Sequence, residues 1–447
     1  MADMANVHAY PRKQFFLEMF TRDISLEDCV LDLIDNSMDS LLRSRNIDIE
    51  AQVLGAAQGG QTRAAIAPAQ IIVKYSESQF DISDNCGGIS KKEAEDEVFC
   101  FGHSSKVPTG RLGVYGIGMK RAIFKIGNTI EVTSRTTESS FTVSIDVLKW
   151  SQKDTSLEDW TFPITKVEAG VPLSKAGTSI TIKDLRPEVK VRMNDGTLDA
   201  ALSNAIGHTY PAFLDSLVKV KINKVDVDRS DLPFGGSGDI KPGIDKFEED
   251  GVKVTLLATL APMDKRTQEI AGWYVLCNGR VVVLHDKSDL TGWGIGLPAF
   301  HSKYRGFVGV ALFTSANPML LPWNTSKRGL NREAVIYQKA RNRMAGVSRP
   351  VITFLNEMYP SDLPERHVER EIASRVVQQD FRPLISAQSK TFEVIRPVSK
   401  KKTMRAQFDV DIADIERIRK KLRRPGMSAS SIGRYTLDHY LKTECPE

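Results

Sequence analysis

The stretch LDLIDNSMDS, Leu31 to Ser40, constrains this chain more than any other ten residues. Leu31, Leu33, Ile34 and Met38 give a helix an apolar face that must be buried. Asp32, Asn36 and Asp39 recur at i, i+4 and i+7, so they share one stripe of the same helix. Two carboxylates and a carboxamide in line can hold a cation, a water or a ligand; on a free surface they form only a solvated face. Ser25 is a suitable N-cap with Glu27 and Asp28 in the first turn, which predicts a helix from about Ser25 to Arg45.

The rest of the chain gives that helix a sheet to pack on. IIVKY and FDISD flank SESQ as a strand hairpin. Further strands are expected at TIEVTSR, FTVSIDV and GTSITIKDL, and a helix at MKRAIFKIG. Gly55 to Gln70 reads as a loop. The mixture predicts an α+β sandwich with helices layered on one sheet. With 447 residues, 41% of them hydrophobic, there is material for two or three domains. No apolar run is long enough to span a membrane, and the first residues lack the apolar core of a secretory signal. Five scattered cysteines with no C-x-x-C pair argue for a reducing, cytoplasmic setting and against a structural zinc.

Three further motifs bear on the acidic stripe. In DISDNCGGIS, Asp84 ends a strand, and Gly87 and Gly88 permit a tight turn. A buried carboxylate there can accept from an adenine amino group, or the motif can be a plain hairpin exit. In GRLGVYGIGMKRAIF, Gly113, Gly116 and Gly118 lead into a helix with Met119 and Lys120 in its first turn. Successive amides and a helix N-terminus there suit an anion. The spacing matches neither the Walker A loop nor the dinucleotide fingerprint. In AGTSITI, Gly177 and Thr178 open a strand and offer a hydroxyl.

Taken together and in this order, the four motifs resemble the GHKL ATPases: gyrase B, Hsp90, MutL and histidine-kinase catalytic domains. In appearance the chain is most similar to bacterial MORC- and MutL-like members. The resemblance implies a Bergerat-type ATP-binding sandwich using ATP and Mg²⁺. It puts Asn36 at the magnesium-holding position and Asp84 at the adenine-reading one. Gly88 then matches the close-approach glycine, and Gly113, Gly116 and Gly118 the phosphate-covering lid. Thr178 matches the threonine that shares a water with the aspartate and adenine. HSSKV is similar to the lid segment of MutL-like members, which adds Ser105 and Lys106. Asp39 lies one turn beyond Asn36, near the sugar or at the rim, while Asp35 points elsewhere as a structural residue. Two departures stand out. Asp32 replaces the catalytic glutamate and is one methylene shorter, so the water it positions would sit differently and hydrolysis would be slow or absent. Cys86 replaces the first glycine of D-x-G-x-G.

The resemblance covers roughly residues 15 to 360. CNGRVVV looks like the NGR strand of a transducer domain, and NTSKRGLN sits where such domains carry a lysine that reaches the γ-phosphate. Lys327 is that residue, with Arg328 the alternative. The organisation expected is an ATP-binding domain over residues 1–192 and a transducer-like α/β domain over 193–360. A charged connector follows over 361–402, then a small module over 403–447. In that module Ala406, Phe408, Val410 and Ile412 alternate as a strand, and two helices parted by RPGMS follow. The pattern resembles a ribbon–helix–helix unit that enters duplex DNA, with Arg405, Gln407 and Asp409 outward; a helical hairpin for dimerisation or partner docking fits equally. From Arg396 onward, thirteen Lys and Arg face seven Asp and Glu, which accounts for the whole net charge of +5. The implied function is a homodimeric clamp, closed by ATP and hydrolysing it slowly. It would act on DNA or a DNA-associated partner protein, in bacterial DNA handling or phage defence. The rivals are an Hsp90-like chaperone and a nucleotide-gated scaffold that never hydrolyses.

Overall fold

The computed structural model describes residues 12–54, 67–102, 111–153, 159–359, 367–396 and 408–445. Helix α1 (Lys13–Arg22) leads into α2 (Leu26–Ser44), the helix foreseen from its cap: the Ser25 hydroxyl accepts from the Asp28 amide at 3.1 Å. Its apolar residues, among them Cys29, Val30, Ile34 and Met38, are almost wholly enclosed. They rest on an eight-stranded sheet made of β1 (Ala69–Tyr75), β2 (Gln79–Asp84), β3 (Gly127–Arg135), β4 (Ser139–Asp146), β5 (Ile164–Ala169), β6 (Gly177–Leu185), β7 (Val218–Ile222) and β8 (Val225–Asp226). The order is β5-β4-β3-β6-β2-β1-β7-β8, antiparallel throughout except where β7 runs parallel to β1. Ala69, Ile71 and Val73 alternate into the core along β1, the period of a sheet covered on one face. The covering helices beside α2 include α3 (Gly118–Ile126), α4 (Val147–Gln152), α5 (Pro187–Asn194) and α6 (Leu198–Thr209).

One end of the helical layer is closed by aromatic rings. Phe101 meets Phe16 edge-on at 4.7 Å and Trp160 at 5.5 Å, and Phe124 stacks on Trp150 at 5.7 Å. Into this cluster α1 sends Lys13, fully buried, whose ammonium lies 4.5 Å from the Trp150 ring centre. It donates to the carbonyls of Trp150 at 3.1 Å and Asp159 at 2.6 Å, so the buried charge meets backbone oxygens and an aromatic face.

The second sheet has the order β11-β12-β15-β13-β14. Two short strands, β9 (Gly235–Gly236) and β10 (Ile240–Lys241), precede it. Its members are β11 (Gly243–Glu249), β12 (Val252–Leu260), β13 (Gly272–Cys277), β14 (Arg280–Asp286) and β15 (Phe307–Thr314), with α7 (Val335–Met358) packed against it. Asn278 and Gly279 both take positive φ, as a two-residue hairpin turn requires. The tip presses on the first unit: a Cβ at Gly279 would lie 2.6 Å from Val53 and 3.2 Å from Ala212.

Three expectations need correction. The first sheet does not end at residue 192, because β7 and β8 complete its edge and carry that layer to Asp226. The α/β unit expected from 193 therefore starts after this edge. Second, the described part of 361–402 is more than a charged connector. α8 (His367–Ser374) buries Ile372 and Ala373, while β16 (Val377–Gln378) pairs with β9 and β17 (Glu393–Val394) with β10. Third, residues 408–411 form no strand: Asp411 caps α9 (Ile412–Leu422), so Ile412 begins a helix. The two helices parted by RPGMS are present, α9 and then α10 (Ala429–Glu444). Arg405 and Gln407 lie outside the described residues. Among those described, no helix is long and apolar enough to cross a membrane.

Candidate functional site

Against the sheet, α2 presents the stripe foreseen from its spacing. Asp32, Asn36 and Asp39 line one solvent-open cleft, with the Gly113–Arg121 segment opposite. A deeper chamber adjoins it and shares Asn36, Ser40, Ile89 and Met119. That chamber is walled by Leu33, Ile82 and Ile180 and holds Asp84 and Thr178 at its end. The chamber sets apolar walls against the polar groups of Asp84 and Thr178, and the outer cleft is lined by glycines and a helix N-terminus.

The chamber's polar end is fixed by backbone donors. Asp84 Oδ1 accepts from the amides of Cys86 at 2.9 Å and Thr178 at 3.2 Å, and Oδ2 accepts from the Ser37 hydroxyl at 2.8 Å. Burial pushes this carboxyl up, and these bonds oppose the shift. The Thr178 hydroxyl sits 2.9 Å from Ser134 Oγ, which also accepts from the Ile89 amide. Gly88 has φ +76, and a Cβ there would come within 2.2 Å of the Arg135 carbonyl, so its close approach is to β3. Its own carbonyl accepts from Ser40 Oγ at 2.8 Å and Arg43 at 2.9 Å. Cys86, in place of a glycine, is wholly buried and keeps negative φ, so the turn carries its side chain without strain.

The outer cleft is built from glycine and a bare helix end. Gly116 has φ +63, and a Cβ on Gly113 would meet Asp39 Oδ2 at 2.7 Å. No side chain caps α3, so its first amides face the cleft without an intrahelical acceptor. Met119 and Lys120 belong to this wall, but the Lys120 ammonium donates to the Val98 carbonyl at 2.8 Å, and burial pushes it down to about 8. Asn36 Nδ2 donates to the Asp32 carbonyl at 2.7 Å, which leaves the carboxamide oxygen as the atom able to ligate a cation. Among the described residues no cluster of three or more His, Cys, Asp or Glu could hold a metal alone. A magnesium ion would fit here as it commonly does, on one protein oxygen with phosphate oxygens and water completing its shell.

Asp32 is not idle. Its Oδ2 accepts from Arg121 at 2.8 Å, and both groups are largely enclosed. Lys327, from the second unit, stands in the cleft wall, yet its ammonium rests 2.6 Å from Asp35 Oδ2. Arg328 lies outside this cleft and pairs with Asp28 at the start of α2. Asp35 faces away from the cleft, as its place on the helix implied, and also accepts from Tyr210 and Arg280. Ser105 and Lys106 fall outside the described residues. Sequence reasoning missed Ser37, Ser134, Arg121 and Tyr210. Arg121 follows Lys120 in the glycine motif and could have been weighed there; the others carry no local signal.

Asp39 binds the glycine turn to α2. Its oxygens accept from the amides of Leu112 at 2.6 Å and Gly113 at 2.7 Å. Burial pushes its pKa up to about 6, and the two amides pull it back only in part. The folded state therefore holds this proton more tightly than the unfolded chain. Asp39's contribution to stability is complete below about pH 4 and is lost as pH rises through about 6. In chemical denaturation, wild type should lose about 2 kcal/mol relative to Asp39→Asn between pH 4 and 7. Parallel pH profiles for the two proteins would contradict this.

Residues 24–178 match the family described as histidine kinase-, DNA gyrase B-, and HSP90-like ATPase. Comparison with curated proteins returns no match for the chain. The match runs from the start of α2 through β2 and the glycine turn to Thr178 at the beginning of β6. Over residues 24–178 the chain is similar to the histidine kinase-, DNA gyrase B- and HSP90-like ATPases, a likeness that supports an ATP-binding domain there.

Proposed function

We propose that the protein is an ATP-dependent clamp whose second unit reports the state of the cleft to DNA or a DNA-associated partner. The observation that carries this reading is Lys327, a residue of the second unit standing in the wall of a cleft built by the first. Whatever fills the cleft acts on a side chain that the other unit supplies. In this reading the chamber takes adenine, with Asp84 accepting from its amino group. The Gly113–Gly118 turn and the bare amides of α3 take the phosphates. The Asn36 carboxamide oxygen would hold a magnesium ion together with phosphate oxygens, and that ion would supply charge neutralisation on the phosphoryl group. Asp32 orients the attacking water and receives its proton, while Arg121 fixes the carboxylate in place. Closure into a homodimer is supported by Phe15 and Met19, apolar and exposed one turn apart on α1. Exposed Arg417, Lys420 and Lys421 on α9 suit a polyanion such as duplex DNA.

A second reading, a nucleotide-gated scaffold without turnover, is favoured by the Asp32–Arg121 pair, since the Asp32 oxygen held by the guanidinium is already engaged and less available to orient a water. Asp32→Asn separates the two. The clamp requires turnover to fall by roughly 10²–10⁴-fold with ATP binding retained, and Asp32→Glu restores the longer reach. Turnover unchanged in Asp32→Asn would remove Asp32 from the reaction, and ATP bound without turnover by wild type and variant alike would establish the scaffold.

Asp84→Ala tests the chamber. It should weaken ATP by about 10- to 100-fold, one charge-assisted hydrogen bond, with a smaller effect on GTP. Equal losses for the two nucleotides would sink the adenine assignment.

Deleting the residues after Lys400 should weaken duplex DNA binding, and the full chain's affinity should fall steeply with salt as counterions are released. If full-length and truncated proteins bind DNA alike, the C-terminal module has another role.

A further inference from the structure

Asp35 touches nothing in the cleft, yet three donors from distant parts of the chain converge on it. Oδ1 accepts from the Tyr210 hydroxyl at 2.7 Å and from Arg280 Nε at 3.1 Å, and Oδ2 accepts from Lys327 Nζ at 2.6 Å. Arg280 Nη1 also donates to the Lys327 carbonyl at 2.5 Å, and its guanidinium lies 5.9 Å from the Tyr210 ring centre. All four groups are buried, so one carboxylate faces two cations and the group carries a surplus positive charge.

The two cations are not equivalent. Arg280 sits at the start of β14 and is tied to Asp35, Tyr210 and a backbone carbonyl. Lys327 sits on a loop with φ +54 and reaches Asp35 through a flexible four-carbon stem that also borders the cleft. If Lys327 turns to an anion in the cleft, Asp35 and Arg280 remain a neutral, hydrogen-bonded pair. If Arg280 left, a desolvated charge would be stranded. The arrangement therefore allows Lys327 to exchange and holds Arg280.

We infer that Asp35 is a positioning residue that parks Lys327 and competes with the terminal phosphate of a nucleoside triphosphate for its ammonium. It thereby sets how strongly the protein distinguishes a triphosphate from a diphosphate. The inference rests on the reading of the cleft as an ATP site with Lys327 on its phosphate side. A ligand shifts an equilibrium only by its different affinity for the two states. Here the two states are ammonium on carboxylate and ammonium on phosphate, and Asp35 determines the stability of the first. The diphosphate, which does not reach Lys327, is indifferent to it.

The test uses the full chain, magnesium, ADP and a non-hydrolysable ATP analogue, with both dissociation constants measured by calorimetry. Lys327→Ala should lower the preference for the analogue over ADP by about tenfold or more, one charged contact. Asp35→Asn should raise that preference by about tenfold with ADP affinity unchanged, and should leave it unmoved in the Lys327→Ala background. Tyr210→Phe removes a competing donor from Asp35, strengthens its hold on Lys327 and should lower the preference a few-fold. This variant carries the test if Asp35→Asn, which strips Arg280 of its counter-charge, fails to fold in thermal unfolding. If Lys327→Ala lowers the preference while folded Asp35→Asn, or else Tyr210→Phe, leaves it as in wild type, the role of Asp35 is overturned and the cleft reading stands. A preference indifferent to Lys327→Ala overturns the cleft reading at that residue and the inference with it.

Discussion

The ion pairs at Asp35 are the tie on which the two-sheet arrangement depends. Taking a carboxylate, a guanidinium and an ammonium out of water costs several kcal/mol per ion, and the cost is offset only by close, mutually satisfied contacts. Those contacts exist only when α2, α6's C-terminal end, β14 and the Lys327 loop are all in position. Burial alone would push Asp35 up, but Arg280 and Lys327 beside it hold it below the usual carboxylate range, so it stays ionised. Removing Asp35 or Arg280 strands a buried charge, a loss of about 3–5 kcal/mol, whereas the departure of Lys327 leaves Asp35 and Arg280 paired. Rigid assembly of the cleft wall follows from that intolerance.

The same helix performs two tasks on two faces, with Asp32, Asn36 and Asp39 toward the cleft and Asp35 toward the second sheet. A period of 3.6 residues makes this possible within a single turn. The geometry couples the tasks, since a tilt of α2 that widened the cleft would also strain the contacts at Asp35. The hairpin tip at Asn278 and Gly279 reinforces the link. Asn278 is clamped on Ser315 through both amide atoms at 3.0 Å, and it sets the direction in which Arg280 enters the first unit.

Features encoded within a few residues were legible in the sequence. The α2 cap and stripe, the β1–β2 hairpin and the glycine turn all rest on local propensity or period. Asp411 before Ile412 was a local signal too, a cap that strand-like alternation concealed. What stayed hidden depends on distant partners. Asp35 meets Tyr210, Arg280 and Lys327 across 175, 245 and 292 residues. Nothing in VKVKI says that it pairs parallel with β1, and two-residue strands such as β16 and β17 are too short to carry a period. The pairing of Asp32 with Arg121 is likewise a matter of how α2 and α3 cross, which spacing along either helix does not specify.

The parallel pairing of β7 with β1 bears on how the molecule comes into being. Ala69 finds its partner Val218 only after nearly 150 further residues have been made, and a sheet with such distant contacts forms late and slowly. Until then the β1 edge stands open, a row of unpaired amides and carbonyls of the kind that recruits strands from other chains. During synthesis the nascent chain therefore passes through a stage in which α2 and the β1–β2 hairpin exist but have no closed edge and no counter-charge for Asp35. The nucleotide domain is thus not a unit that matures first and waits for its neighbour; its last pieces arrive with the neighbour itself.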